Sequence, residues 1–250
     1  MGRQRPSGAS LHAMRFIDRF EVILLDMMQT FMFGGDRFSE GENYGETYKG
    51  LNGRRLAPAE VNAVISEAFD RMLDDYHDPE RFDCFPAARS YLEDILNEKN
   101  LPASEVELLD TLFAIHETGK IPETHVETLR ELHRTHRLGI VSNIWCRSDL
   151  CREELTRAGV ADLFEAVVLS SDHGVIKPSP LIFERAVELF GVDKSAVLFV
   201  GDDFVCDISG AKAAGLAAVW IDRGEEKIEK RGPRPDLVIS ELDDLLLELS

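Results

Sequence analysis

Acid, amide, hydroxyl and amine side chains fall at four places in this chain where an apolar run stops. Asp26 and Thr30 close and follow the run at 21–27, and Ser142 with Asn143 closes the run at 138–143. Lys177 lies on the loop after the run at 165–170, while Gly201, Asp202, Asp203 and Asp207 close and follow the run at 196–202. A carboxylate can attack phosphorus or carbon and form a covalent ester that water later opens. Two carboxylates on neighbouring strand ends, Asp26 and Asp202, repel each other without a cation; a hard, oxygen-ligated Mg²⁺ suits them and also neutralises a phosphate dianion. A lysine close to Asp26 holds it ionised and offsets charge developing in the transition state. The Ser142 hydroxyl and the N–H groups at 142–143 would hold phosphoryl or carboxylate oxygens. Singly, such residues read as helix caps, turns or solvated surface groups; four such places in order, each at or after the end of an apolar run, are hard to ascribe to chance.

The elements that must position these groups alternate. Apolar runs at 21–27, 138–143, 165–170, 196–202 and 217–222 have the length and composition of buried parallel strands. Between them lie helix-like stretches at 122–136, 147–158, 180–190 and 205–214. Gly159, Gly191 and Gly215 suit left-handed helix ends, and Ser179-Pro180 suits a helix start. Alternation of this kind predicts right-handed βαβ units and an α/β fold with a Rossmann-like parallel sheet, in which ligands bind beyond the carboxyl ends of the strands.

The stretch between the first two strands is of another kind. Val61, Val64, Ile65, Ala68, Phe69, Met72, Leu73 and Tyr76 follow helical spacing over 58–76. Amphipathic helices are expected at 87–98 and 104–116, the second opening with a capping box at Ser104 and Glu107. The expected organisation is a core domain at 19–36 and 120–250, an inserted α-helical cap domain at 37–119, and a mobile tail at 1–18.

Here the chain resembles the haloacid dehalogenase-like superfamily, over about residues 21–223. LLDMMQT is similar to its first motif, GIVSN to its second, the Lys177-Pro178 of GVIKPSP to its third, and VGDDFVCDISGAKAAG to its fourth. The resemblance implies that Asp26 is the nucleophile, Lys177 the organising cation and Ser142 a substrate-oxygen ligand, with Thr30 and Asn143 beside it. It implies Mg²⁺ held by Asp26, Asp202 and the Met28 backbone carbonyl, with Asp207 supporting the metal site. FMFGGDRF then reads as a flap hairpin turning at Gly34-Gly35, and the helical insert as the cap over the site.

One position departs from the pattern. Phosphatases of this superfamily carry an aspartate two residues after the nucleophile, which protonates the leaving group and then activates water. Met28 stands there instead, and losing a positioned general acid–base costs on the order of 10²–10⁴ in rate. Three readings follow. The first is a Mg²⁺-dependent hydrolase acting on a small phosphorylated metabolite with a good leaving group, or with a proton from Asp36, Asp172 or His173. The second is a haloacid dehalogenase, or a phosphonatase-like enzyme for which Lys49 is the lysine of the insert's first half. The third is a metal- or phosphate-binding scaffold without activity.

Composition bounds the partners. A formal net charge of −18 argues against nucleic acid and anionic membranes as partners. No apolar run reaches the roughly 18 residues of a membrane span. Cys84, Cys146, Cys151 and Cys206 form no CxxC pair, so reduced thiols in a cytoplasmic protein are expected. Cys206 reads as packing, and His133 and His136 as groups favoured by a helix end. Trp145 and Arg147, just after Ser142-Asn143, are candidates to roof the substrate, with core packing and a surface helix start as the plainer readings. The substrate's identity and the oligomeric state are not written in the sequence.

Overall fold

The computed structural model describes residues 15–39, 41–224 and 232–247. The five apolar runs become β1 (Val22–Leu25), β2 (Arg137–Ser142), β3 (Phe164–Leu169), β4 (Val197–Gly201) and β5 (Ala217–Ile221), and a sixth strand, β6 (Leu237–Ile239), follows them. Helices α1 (Tyr44–Gly50), α2 (Pro58–Tyr76), α3 (Ala88–Glu98) and α4 (Val106–Glu117) lie between β1 and β2, and α5 (Glu123–His133) leads into β2. The later crossovers hold α6 (Asp149–Arg157), α7 (Ser170–His173), α8 (Pro180–Phe190) and α9 (Gly210–Ala213).

All six strands pair in parallel, in the order β3-β2-β1-β4-β5-β6. Leu25 of β1 is in register with Ile140 on one side and Val200 on the other. The order therefore reverses at β1, and the crevice that such a reversal opens lies beyond the carboxyl ends of β1 and β4.

Both faces of the sheet are covered, so alternate residues of each strand feed different cores. Ile23, Leu25, Leu138, Ile140 and Leu198 pack with Val126, Leu129 and Leu132 of α5. Val22, Leu24, Val197 and Phe199 pack with Ile182, Phe183 and Phe190 of α8. Buried residues of α2, α3 and α4, among them Ile65, Leu92 and Phe113, join the first of these cores. Among the described residues no helix is long and apolar enough to cross a membrane.

Four local expectations are corrected. The tail expected at 1–18 falls mostly outside the described residues, but Phe16–Arg19 form a 3-10 turn with Ile17 fully buried, pinned by the His136 ring to the Ile17 carbonyl at 3.0 Å. The Ser104 cap does not form, because Ala103–Glu105 turn as a 3-10 helix and Ser104 Oγ accepts from Arg55 at 2.7 Å. Residues 31–38 make no hairpin of their own. Phe33 pairs instead with Lys120, and Asp36 N–H donates to the Glu117 carbonyl at 3.2 Å. A Cβ on Gly35 would collide with that same carbonyl, which is why glycine stands there. Finally, the helix expected at 205–214 opens as a π-helix, Phe204–Ser209, before α9.

The chain's return from the helical insert is fixed by Glu154 of α6. Its buried carboxylate accepts from Lys120 Nζ and from Ile121 N–H, both at 2.9 Å, and from Arg157. Burial alone would raise its pKa, but the bonds from Arg157, Ile121 and Lys120 outweigh that and hold it down from 4.5 to about 2. A depressed folded-state pKa means stability present above the unfolded value and lost as pH falls through the folded one. Glu154→Gln should therefore cost about 1–3 kcal/mol at neutral pH. In urea titrations the gap from wild type should narrow below pH 4.5, whereas a gap independent of pH would mean the carboxylate's charge is immaterial.

Candidate active site

The strand-end groups converge. Asp26 is fixed at the end of β1 by its N–H to the Val200 carbonyl, 2.9 Å away. Lys177 Nζ lies 2.5 Å from Asp26 Oδ1 and 2.6 Å from Asp207 Oδ1, and Ser142 Oγ donates to Asp26 Oδ1 at 2.9 Å. Thr30 Oγ1, fully buried, stands 3.3 Å from Asp26 Oδ2 and 3.2 Å from Asp202 Oδ1. Carboxylate oxygens of Asp26, Asp202 and Asp207 all lie within 4.8 Å of one another.

Asp207 has little freedom left. Its Oδ2 accepts the Asp203 N–H at 3.0 Å while Oδ1 holds Lys177. A Cβ on Gly201 would run into the Asp207 carboxylate, so packing alone demands glycine before Asp202. Asn143 is equally committed: its Oδ1 accepts the Lys177 N–H at 2.8 Å, and its Nδ2 donates to the Lys177 carbonyl and to Tyr76 OH. It shapes the loop that carries the ammonium. Met28 is buried beside Gly35 of the flap.

The electrostatics follow from a surplus of acid. Burial would lower the Lys177 pKa, but Asp207 and Asp26 on either side reverse this and keep it charged. Burial pushes Asp207 well above the usual carboxylate range, Lys177 opposing and Asp26 and Asp202 adding to the shift. Asp202 is raised to about 7, first by burial and then by the charge of Asp26. Three carboxylates thus share one ammonium, and among the described residues the Asp202 carboxylate takes only the Thr30 hydroxyl. Such a set of hard oxygens fits a small divalent cation.

Beyond the cluster lies a cleft of about 280 Å³, lined by Asp26, Lys177, Asp202 and Asp207 together with groups from other elements. Sequence reasoning passed over most of these. Tyr76 and Phe69 come from α2, Phe38 from the flap segment, and Trp145 from the loop after β2. Glu117, at the end of α4, accepts the N–H groups of Trp145 at 2.7 Å and Cys146 at 2.8 Å. Burial raises its pKa against those bonds. Cys206 also lines the cleft, but burial holds its thiol well above its ordinary range, which agrees with its reading as packing. Only a buried carboxylate at a helix end could have hinted at Glu117, and no spacing rule singles it out.

Of the three groups considered as proton sources, Asp36 alone lines the cleft. Burial, then Glu117 and Asp26, raise its carboxyl to about 7. Asp172 is held by Ser148 and Arg152, and His173 is exposed away from the lining. Lys49 is exposed on α1 and is not part of the lining either.

Comparison with known proteins gives a family-model match, described as haloacid dehalogenase-like hydrolase, over residues 21–215. The chain is 40% identical over 99 residues to a phosphoserine phosphatase of Thermus thermophilus, covering 40% of this chain and 39% of that protein. It is 33% identical over 151 residues to a glyceraldehyde 3-phosphate phosphatase of Pyrococcus abyssi, covering 56% and 59%. These matches span well under two thirds of either relative. Among solved structures, a 2-haloacid dehalogenase from Pseudomonas syringae pv. Tomato superposes with a TM-score of 0.64 at 26% identity, over 91% of this chain and 96% of that one.

A cation held by these carboxylates would bind with an affinity that depends on pH. A carboxyl raised in the folded protein favours the protonated, metal-free form at low pH and loses that preference as pH rises through its folded value. With Asp202 at about 7, Mg²⁺ affinity measured by calorimetry should fall about tenfold between pH 8 and pH 6 with proton release on binding. Affinity that does not change with pH would mean Asp202 is not a ligand.

Proposed function

We propose that this chain, which belongs to the haloacid dehalogenase-like hydrolase family, is a Mg²⁺-dependent hydrolase that opens a small phosphorylated metabolite with Asp26 as its nucleophile. The observation that carries this reading is the third carboxylate. Asp26 and Asp207 are balanced by Lys177, whereas no lysine or arginine among the described residues pairs with Asp202. Attack on a phosphate dianion by a carboxylate calls for more positive charge than one ammonium supplies. Loss of halide from carbon does not, so Asp202 weighs against the dehalogenase reading despite the likeness to a 2-haloacid dehalogenase. Lys49 gives the phosphonatase-like reading no support.

The chain's groups then take the following parts. Lys177 and Ser142, both on Asp26 Oδ1, fix the orientation of the nucleophile. Ser142 and Thr30 set hydroxyls against the two oxygens of Asp26 from behind the cleft wall, Tyr76 brings a hydroxyl into the lining itself, and Asn143 holds Lys177 in place. Mg²⁺, held by Asp26, Asp202 and the Met28 carbonyl with Asp207 behind them, would neutralise the charge of the phosphate. Residues 37–119 serve as the cap domain over the core at 19–36 and 120–250, with α2 supplying part of the cleft wall. Four free cysteines, Cys84 among them exposed, support a reducing cytoplasmic setting.

Met28 cannot transfer a proton. Asp36 lines the cleft, and its backbone is tied to Glu117, but no side-chain hydrogen bond among the described residues aims its carboxyl. General acid catalysis needs a positioned group, so the reading assigns departure to the leaving group's own acidity.

Phosphate should be released from small phosphomonoesters only with Mg²⁺ present, and halide from 2-haloacids neither with it nor without it. Met28→Asp should raise hydrolysis of an alkyl phosphate about 10²-fold or more over that of an aryl phosphate, because the alkoxide needs the proton and the phenolate does not. Asp36→Asn should leave that ratio unchanged. Metal-independent halide release would replace this reading with dehalogenation, and a selective loss of alkyl turnover in Asp36→Asn would return the proton to Asp36.

A further inference from the structure

The cleft has two walls of opposite character. Four rings form a continuous surface on one side: Phe38 and Phe69 are stacked with centroids 4.8 Å apart, Phe69 meets Trp145 at 5.6 Å, and Trp145 meets Tyr76 at 5.2 Å. All four line the cleft and are only partly buried, so each keeps a ring surface open to it. Phe69 and Tyr76 stand two turns apart on one face of α2, which is why a single helix brings both to the same wall. Apart from the Asp26, Asp202 and Asp207 cluster, the charged lining is acidic throughout: Asp36, Glu117 and Asp203. Lys177 is its one cation among the described residues, and it is spent on Asp26 and Asp207.

We propose that the group leaving phosphorus is a planar, uncharged aromatic alcohol, so that the substrates are aryl-type phosphate monoesters; the inference rests on the phosphatase reading above. Three independent features meet in it. Ring walls gain most from a flat apolar partner, by offset stacking or edge contact. A second anionic group on the substrate would meet the carboxyl groups of Asp36, Glu117 and Asp203, with no free cation among the described lining residues to pair it, which costs affinity. Met28 supplies no proton, and a phenolic hydroxyl, ionising near pH 10 or so, departs as its anion far more readily than an alkanol. The cleft, at about 280 Å³, stands at the small end of ligand sites and suits one ring rather than a nucleotide.

The step balances without a further reactant. An Asp26 carboxylate oxygen forms a bond to phosphorus as the phosphorus–aryl oxygen bond breaks. The electron pair leaves on the aryl oxygen, which takes its proton from solvent. Water then attacks the phosphorus of the Asp26 ester, returning the carboxylate and releasing phosphate with one proton.

Binding of non-hydrolysable phosphonates tests the inference separately from turnover. In calorimetry with Mg²⁺ present, phenylphosphonate should bind about tenfold more tightly than methylphosphonate, the scale of one well-placed aromatic contact. 4-Carboxyphenylphosphonate should lose that advantage, and Phe69→Leu should shrink the phenyl-to-methyl ratio while the wild-type series stands regardless of how the variant folds. Equal binding of phenyl- and methylphosphonate would overturn the aryl assignment and leave the phosphatase reading intact. Equal binding of the phenyl and 4-carboxyphenyl compounds would overturn the exclusion of a second anion. If no phosphonate binds, while 2-haloacids are turned over, the phosphatase reading falls and the inference with it.

Discussion

One buried ammonium holds the site together. Lys177 is almost wholly enclosed and touches Asp26 and Asp207 at once, so neither carboxylate can move without stranding a charge in the interior. Breaking such a pair costs about 3–5 kcal/mol, a large share of the 5–15 kcal/mol by which a domain is stable. This constraint propagates outward. Asp207 is locked to the Asp203 N–H, Gly201 must lack a side chain to admit it, and Asn143 clamps the backbone of Lys177 from the neighbouring strand end. The ends of β1, β2 and β4 and the loop after β3 are thereby tied to one point.

The same arrangement leaves an imbalance that no cation among the described residues settles. Asp202 faces Asp26 across the Thr30 hydroxyl, and its carboxyl is raised to about 7 because ionising it adds charge to a buried, already negative place. The protonated form of Asp202 is therefore tolerable alone, and under the proposed function its ionised form would be the one that takes a cation. The insert contributes a different physics. Its helices share a core with one face of the sheet, which brings the rings of α2 against Trp145, and Glu117 of α4 anchors the loop that carries Trp145. Charge chemistry comes from the strand ends, and the apolar wall comes largely from the insert.

This division explains what the sequence discloses. Asp26, Thr30, Ser142, Lys177, Asp202 and Asp207 were legible because a parallel sheet forces its strand ends to one side, and apolar runs mark those ends without any knowledge of packing. Helix α2 and the glycine ends Gly159, Gly191 and Gly215, all with positive φ, were legible from periodicity and local sterics. Asp36 was legible as a flap residue at the site, but Glu117, Phe69 and Tyr76 were not legible as cleft residues, since their meeting depends on how the insert lies on the core. Ser104 misled for a related reason: its hydroxyl is taken by Arg55 from a distant turn, and propensity for a cap does not foresee a competing partner. Ile17 was read as tail because a four-residue turn carries too little periodicity to reveal that its side chain is buried. β6, at three residues, is too short for an apolar run to announce.

The proposed chemistry turns on Asp26 carrying the phosphoryl group. Turnover of phenyl phosphate can be quenched in acid within the first cycle and the protein digested for mass spectrometry. A phosphate adduct on the peptide containing Asp26, formed with Mg²⁺ and absent without it, is the result the account predicts. Steady release of phosphate with no adduct on that peptide at any quench time, or an adduct on another residue, would contradict it.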